Sequence, residues 1–126
     1  MRLFFLILLI LAQQASAKDF ICKKTFIKTV KNSVVARASE LSREHHSDTV
    51  NDKFMHCSVS CQLTFQCYGT HVLALGLGKE IWDVFTPGDA DVRDLKADIL
   101  GIDLNESGRA RNNEECFTQC ESYYPF

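Results

Sequence analysis

One histidine and a few carboxylates supply the residue types that acid–base or metal chemistry needs. His56 lies in a stretch of helical periodicity, and Glu80 and Asp98 lie on two later stretches that are otherwise largely apolar. An acidic side chain on an apolar helix needs a partner or a wet cleft, which predicts that these groups converge. A histidine beside carboxylates can act as a general base or bind a divalent metal. We therefore predict His56, Glu80 and Asp98 as catalytic residues and leave the metal unassigned.

The same side chains also have a purely structural interpretation. Asp83 and Asp94 extend the predicted acidic cluster. Lys79 and Arg93 stand close to these acids in the sequence. In this interpretation Lys79 and Arg93 form ion pairs with Glu80 and Asp83 at the rim of the domain. His56 then donates a hydrogen bond inside the core. Both interpretations stay open. The chain has no GxSxG, HExxH or phosphate-loop pattern, and no cofactor is predicted.

Six cysteines give the second chemical signal. Two pairs have a spacing of four residues, which places both sulfurs of a pair on one helical face. An exported chain of this size most simply forms three disulfides from six cysteines. Antiparallel packing of the two helices pairs Cys57 with Cys120 and Cys61 with Cys116, whereas parallel packing exchanges the partners.

The two remaining cysteines complete the predicted framework. By elimination Cys22 bonds to Cys67 and ties down the first helix. Each bond that closes a long loop stabilises the fold by roughly 3–5 kcal/mol in the chain-entropy model. A zinc site made from the four helical cysteines is the alternative, but structural zinc usually takes a tighter CxxC spacing. We therefore predict disulfides.

Apolar residues recur at helical spacing along most of the chain. The first predicted helix lies within residues 18–46 and ends in the polar stretch at residues 43–48, and the next two span residues 51–67 and 71–85. A short fourth helix ends at Gly101, and a last one contains the final cysteine pair. The third segment is apolar on nearly all sides, which predicts a buried helix. The predicted fold class is all-α, a small disulfide-stapled bundle of four to five helices.

Polar residues mark the predicted helix starts and loops. The candidate N-caps are Asp48 or Asn51, Asp89 or Asp91, and Asn112, which Glu115 follows as in a capping box. Residues 105–111 are polar and contain glycine, which predicts the most mobile loop. The aromatic end at residues 123–126 either packs back onto the fold or forms an adhesive terminus.

The start of the chain has the pattern of an export signal. Arg2 precedes an unbroken apolar run at residues 3–11, and Ala15-Ser16-Ala17 fits the small-x-small cleavage rule. Residues 1–17 are thus a predicted signal peptide, and residues 18–126 a single cysteine-rich helical domain. An uncleaved anchor is the alternative, although a run this short does not span a bilayer. The prediction is a secreted or periplasmic protein without stable membrane insertion after cleavage.

The charge balance argues against nucleic acid as a partner. The chain has 14 lysines and arginines against 16 acidic residues, a formal net charge of −2. Nucleic acids and anionic membranes are usually bound through concentrated basic patches, which this composition does not suggest. We predict no nucleic-acid partner. The predicted partner is an envelope or extracellular macromolecule of unknown identity.

Several short motifs resemble those of exported bacterial proteins. The chain contains, in order, NDKFMHC, GLGKEIWD, TPGDADVRDL and KADILGI. This order is similar to that in uncharacterised exported lipoproteins and in VanZ-like proteins. The HCSVSC opening and the closing CFTQC are similar to cysteine-rich C-terminal domains of RHS-repeat proteins. The resemblance covers residues 52–102 and implies a bacterial, periplasmic protein without implying a particular activity. The positions that match its polar pattern are Asp52, His56, Lys79, Glu80, Asp83, Asp94 and Asp98.

Two functions of different classes agree with these observations. The first is a binding or structural module at the cell envelope, for which alanine at His56 or Glu80 leaves function intact. Changes in the aromatic tail would impair such a module. The second is a small hydrolase or metal-dependent enzyme, toxin-like in one variant, that acts on an envelope substrate. It requires His56 and the carboxylates Glu80, Asp94 and Asp98 to lie within a few ångströms of one another around a cleft.

Overall fold

The structure is a computed structural model that describes residues 22–46, 51–86 and 90–126. The predicted signal peptide and the candidate caps Asp48 and Asp89 lie outside these residues. The described helices are α1 (Lys24–Glu44), α2 (Asp52–Leu63), α3 (Gly69–Phe85), α4 (Val92–Glu106) and α5 (Asn113–Tyr123). The predicted class, a small all-α bundle held by disulfides, is confirmed.

Three helices begin at a side-chain cap. The carboxamide of Asn51 and the carboxylate of Asp91 each accept a backbone N–H from the first turn of α2 and α4. Asn112 does the same for α5 by accepting the N–H of Glu115 at 2.9 Å. These bonds satisfy donors that have no partner inside a helix. The capping box is incomplete, because Glu115 accepts the backbone N–H of Arg111 instead of that of Asn112.

Helix α2 is the centre of the bundle and contacts each of the other four helices. Two disulfides join it to α5, and a third joins a cysteine two residues before α1 to the turn after α2. The bonds are Cys57–Cys120, Cys61–Cys116 and Cys22–Cys67. They are the pairs that antiparallel packing predicts. Because all six cysteines are bonded, none is available to bind zinc.

The prediction that Gly101 stops a helix is wrong. Helix α4 continues past it to Glu106, so the predicted loop at residues 105–111 is helical at its start. Gly101 lies where α4 crosses α2. A Cβ at this position would be 2.9 Å from the backbone nitrogen of Cys61 and closer still to the carbonyl oxygen of Cys57. Glycine is needed because two helix backbones approach each other closely.

The prediction of a buried third helix is wrong for the second half of α3. Val72 is buried near its start, but several large apolar residues further along are exposed. They are Leu77, Ile81, Trp82, Val84 and Phe85, with Trp82 69% and Phe85 82% exposed. A helix that is apolar all round can bury only the faces that its neighbours cover. Among the described residues, no helix has both the length and the apolar character needed to cross a bilayer.

The aromatic C-terminus packs back onto the fold. The ring of Phe126 meets the buried ring of Phe54 edge-on, with the centroids 5.1 Å apart. The side-chain amide of Asn51 donates to the carbonyl oxygens of Tyr124 and Pro125, both at 2.9 Å. The chain end therefore closes over the start of α2.

Candidate functional site

Two helices present polar side chains to each other inside the bundle. On α2, Asp52, His56 and Ser60 recur every four residues and share one face. On α4, Asp94 and Asp98 have the same spacing. Because α2 and α4 cross closely, these two polar faces meet.

His56 is held in place by a buried carboxylate. Its Nδ1 lies 3.1 Å from Oδ1 of Asp98, and the hydroxyl of Ser60 donates to the same oxygen at 2.7 Å. Asp98 is only 3% exposed. Its Cγ would be 3.1 Å from a Cβ at Gly76, so glycine leaves room for the carboxylate there. A carboxylate fixed in this way favours the tautomer of His56 that carries its proton on Nδ1. Nε2 then faces away from Asp98.

The second ring nitrogen faces two more carboxylates. Nε2 of His56 lies 3.5 Å from Oδ2 of Asp94 and 3.9 Å from Oδ1 of Asp52. One ligand atom from each of the three residues lies within 4.8 Å of the others. In a tetrahedral site with ligands at about 2.1 Å, neighbouring ligand atoms are roughly 3.4 Å apart. The ligand atoms of Asp52, His56 and Asp94 are therefore spaced nearly as in a divalent metal site. An imidazole ligand suits zinc better than calcium or magnesium.

Lys53 balances part of the acidic charge. Its Nζ donates to Oδ2 of Asp91 at 2.9 Å and to Oδ1 of Asp94. Burial disfavours the charge on Lys53, but the hydrogen bonds to Asp94 and Asp91 outweigh burial and raise its pKa. Hydrogen bonds from Arg93 and Lys53 hold the pKa of Asp91 well below its usual range. Lys53 and Asp91 are therefore both charged at neutral pH.

The surroundings of His56 favour positive charge. Burial by itself would lower the pKa of the imidazole, and its side chain is only 12% exposed. The hydrogen bond to Asp98 and the charges of Asp98, Asp94 and Asp52 outweigh burial and raise this pKa above 6.5. The carboxylates around His56 therefore attract a proton or a metal cation.

Four of the polar side chains of the site, Asp52, His56, Ser60 and Asp98, line an apolar groove of about 360 Å³. This volume is within the range of small-molecule sites. Helices α1, α2 and α3 supply seven apolar side chains to its wall: Ile27, Val35, Met55, Val59, Leu63, Val72 and Leu75. Lys31 and Lys79 also line the groove. The site thus joins acid–base side chains to an apolar surface.

The structure brings three of the predicted residues together and leaves a fourth outside the cluster. His56, Asp94 and Asp98 are in contact. Glu80 is buried, but its Oε2 accepts the backbone N–H of Asp91 at 2.8 Å. Within the described residues, no hydrogen bond or ion pair joins Glu80 to His56, and its catalytic role stays a prediction.

Two charged residues predicted to accompany Glu80 have different outcomes. Nζ of Lys79 lies 3.7 Å from Oε1 of Glu80, as the ion-pair interpretation predicts. The side chain of Asp83 lies outside the described part of the chain.

The constellation predicted from the residues omits three residues of the site, although the resemblance to exported proteins includes one of them, Asp52. Asp52 and Ser60 lie four residues before and after His56, so helical spacing around the histidine could have identified both. Lys53 gives no such signal. Its partners Asp91 and Asp94 lie 38 and 41 residues further along the chain.

The fold and the site define a small disulfide-stapled helical protein with a buried histidine–carboxylate pair beside an apolar groove. No family model, curated protein or solved structure matches the chain. The resemblance to exported lipoproteins, VanZ-like proteins and RHS-repeat domains therefore stays a prediction.

Proposed function

We propose that the protein is a small exported hydrolase that uses His56 and a divalent metal to cleave a cell-envelope substrate. The observation that carries the proposal is the orientation of His56. Its Nδ1 is bonded to buried Asp98, and its Nε2 faces Asp52 and Asp94 beside the groove. Histidines that bind metals almost always donate their other ring N–H to a carboxylate, a carbonyl or water, as here.

The charge of the site supports a metal-assisted reaction over one that relies on histidine alone. Hydrolysis places negative charge on an oxygen in the transition state, and Asp52 and Asp94 would repel that charge. A divalent cation held by these carboxylates and His56 would reverse the sign of the local field and lower the pKa of a bound water.

The residues of the chain have separate roles in this scheme. Asp98 orients the imidazole, and Lys53 holds one oxygen of Asp94 so that the other faces Nε2. Asp52, which is 61% exposed, can move to admit substrate. The reaction consumes one water: its oxygen bonds to the acyl carbon and the bond to the leaving oxygen breaks. One of its protons ends on the leaving group, and the other passes to solvent.

Export is part of the proposal. Three disulfides persist most readily in an oxidising compartment, which supports secretion or a periplasmic location. The predicted signal peptide at residues 1–17 agrees with this location. The substrate is then a component of the cell envelope.

Zinc titration of the disulfide-bonded protein by calorimetry tests the site directly. We expect one binding site, which His56→Gln or Asp94→Asn removes. Asp98→Asn should weaken binding by about 10- to 100-fold, because it disturbs only the orientation of the imidazole. His46→Gln, at an exposed histidine at the end of α1, is the matched control and should bind as the wild type does.

Hydrolysis is measured with chromogenic carboxylic and phosphate esters, starting with acetyl esters. We expect activity that a chelator removes, that zinc restores and that His56→Gln lowers by at least 100-fold. Equal rates for the wild type and His56→Gln on every ester would refute the proposal.

A binding module is the second candidate, and the exposed apolar half of α3 favours it. Under this function Trp82→Ser and Phe85→Ser abolish capture of the partner, whereas His56→Gln does not. Pull-down from envelope extracts with these three variants separates the two candidates.

A further inference from the structure

We infer that the groove binds one long alkyl or acyl chain that carries an anionic head group. The substrate of the proposed hydrolase is then an anionic acyl ester, that is, a lipid. This inference rests on the proposed function and assigns its substrate class. The groove and its charged rim carry it, independently of whether a metal binds.

The wall of the groove has the chemistry of a chain-binding surface. Three helices contribute its seven apolar side chains, and the polar groups at the His56 site lie in the same groove. An extended chain can lie along such a wall while its ester reaches His56. Burial of each further methylene should raise the affinity about fourfold until the groove is full.

The charges at the groove select the head group. Of the acids that line the groove, Asp98 is hydrogen-bonded to His56, and Asp52, whose side chain is 61% exposed, lies 3.9 Å from Nε2 of the same ring. Lys31 and Lys79 are exposed and also line the groove, and Nζ of Lys79 lies 3.7 Å from Oε1 of Glu80. On α1, Lys31 lies one turn after Ile27 and one turn before Val35, which both line the groove. Its side chain therefore borders the apolar wall. The ammonium group of Lys31 can therefore pair with an anionic head group.

The α3 wall of the groove continues onto exposed apolar surface. Val72, Leu75 and Lys79 line the groove, and Trp82 follows three residues later on the same face of α3. Trp82 is 69% exposed. An indole at this position can contact the part of an amphiphile that the groove does not enclose, because it pairs a large apolar surface with one polar N–H.

Displacement of 11-(dansylamino)undecanoic acid measures chain binding without any turnover. The titration is run on the disulfide-bonded protein with a chelator present, so that metal binding does not contribute. We expect one saturable site and displacement by octanoate, decanoate and dodecanoate below their micelle concentrations. Each step of two methylenes should strengthen displacement about 16-fold until the groove is full.

Two exposed valines give a matched pair of groove-filling variants. Val35 lines the groove, whereas Val84 lies outside it, and both are largely exposed. Val35→Trp should weaken the probe at least tenfold because the indole occupies part of the groove. Val84→Trp adds the same side chain elsewhere and should bind as the wild type does. Absence of saturable binding, or equal binding by the two variants, would overturn the inference.

Charge reversal tests the head group. Lys31→Glu should weaken decanoate about fivefold and leave decanol unchanged. Lys28→Glu, an exposed lysine on α1 outside the groove, is the control and should change neither. Equal effects of the two reversals on decanoate would contradict an anionic head group at Lys31.

The same titration separates this inference from the proposed function. The wild type should cleave decanoyl esters with a higher kcat/KM than acetyl esters. Chain binding without hydrolysis of any ester would overturn the proposed function alone. Hydrolysis of acetyl esters without chain binding would overturn this inference alone.

Discussion

Alanine at Gly101 tests the close helix crossing on which the site depends. Helix propensity alone predicts that this change stabilises α4 by about 1 kcal/mol. The new Cβ, however, would lie 2.9 Å from the backbone nitrogen of Cys61 and 3.0 Å from the carbonyl carbon of Cys57. Ordinary carbon–carbon contacts are about 3.5–4.0 Å. Helix α4 must therefore move away from α2 by roughly 1 Å.

The neighbouring backbone has little freedom to make room. Cys57 and Cys61 are both bonded to α5, which holds that side of α2 in place. Overpacking typically costs about 1–3 kcal/mol, and we expect a clash with backbone to lie near the upper end. After the gain in propensity, Gly101→Ala should lower the free energy of unfolding by about 2 kcal/mol. It should also weaken zinc binding at least tenfold, because Asp98 lies one turn before Gly101 and moves away from His56.

Gly78 provides the matched control. It also lies inside a helix, α3, but a Cβ there would have nothing within 4 Å. Gly78→Ala should therefore raise the free energy of unfolding by about 0.5–1 kcal/mol. Urea unfolding with intact disulfides measures both variants, with an unchanged m value as the check on two-state behaviour. Stabilisation by both alanines, or the same loss from both, would refute the close-crossing argument.

Two further perturbations test the charge of the site and the closure by the C-terminus. The raised pKa of His56 contributes stability that is complete below pH 6.5 and lost as pH rises through the folded-state pKa. Urea unfolding with a chelator present should show this loss of stability in the wild type and not in His56→Gln. Zinc affinity should instead rise with pH, because the metal binds only the neutral imidazole. Asn51→Ala should cost about 1–2 kcal/mol in urea unfolding, because it removes an N-cap and two hydrogen bonds to the C-terminus. The exposed control Asn32→Ala should cost nothing.

Cysteine spacing predicts more of this fold than any other pattern in the sequence. Two pairs with four-residue spacing require two helices that each present both sulfurs on one face, which reduces the possible pairings to the parallel and antiparallel sets. Helix caps are predictable for a similar reason. Asn51, Asp91 and Asn112 act on backbone groups two or three residues away, so their role depends only on local sequence.

The errors arise where the deciding contact is distant in sequence. A glycine that ends a helix and a glycine at a helix crossing look alike, and for Gly101 the difference lies in the backbone of α2. Lys53 is similar, since only the fold brings it to Asp91 and Asp94. For α3, an apolar sequence on all sides predicts burial only if neighbours cover every face. Its described contacts are with α4 and, less extensively, with α2.

The acids of the site are difficult to explain by stability alone. A buried carboxylate such as Asp98 must be hydrogen-bonded to be tolerated, and a well-packed apolar group of similar size is often at least as stable. The three disulfides already hold α2 to α5 and the start of α1 to the turn after α2. None of these bonds reaches α4, which packs on α2 both at the close crossing at Gly101 and through the contacts of Asp94 and Asp98 with His56. Side chains that depart from the core pattern at the wall of a groove are the expected mark of a functional site. The convergence on His56 is therefore the feature on which the proposed function rests, and the zinc titration distinguishes it from an internal ion-pair network.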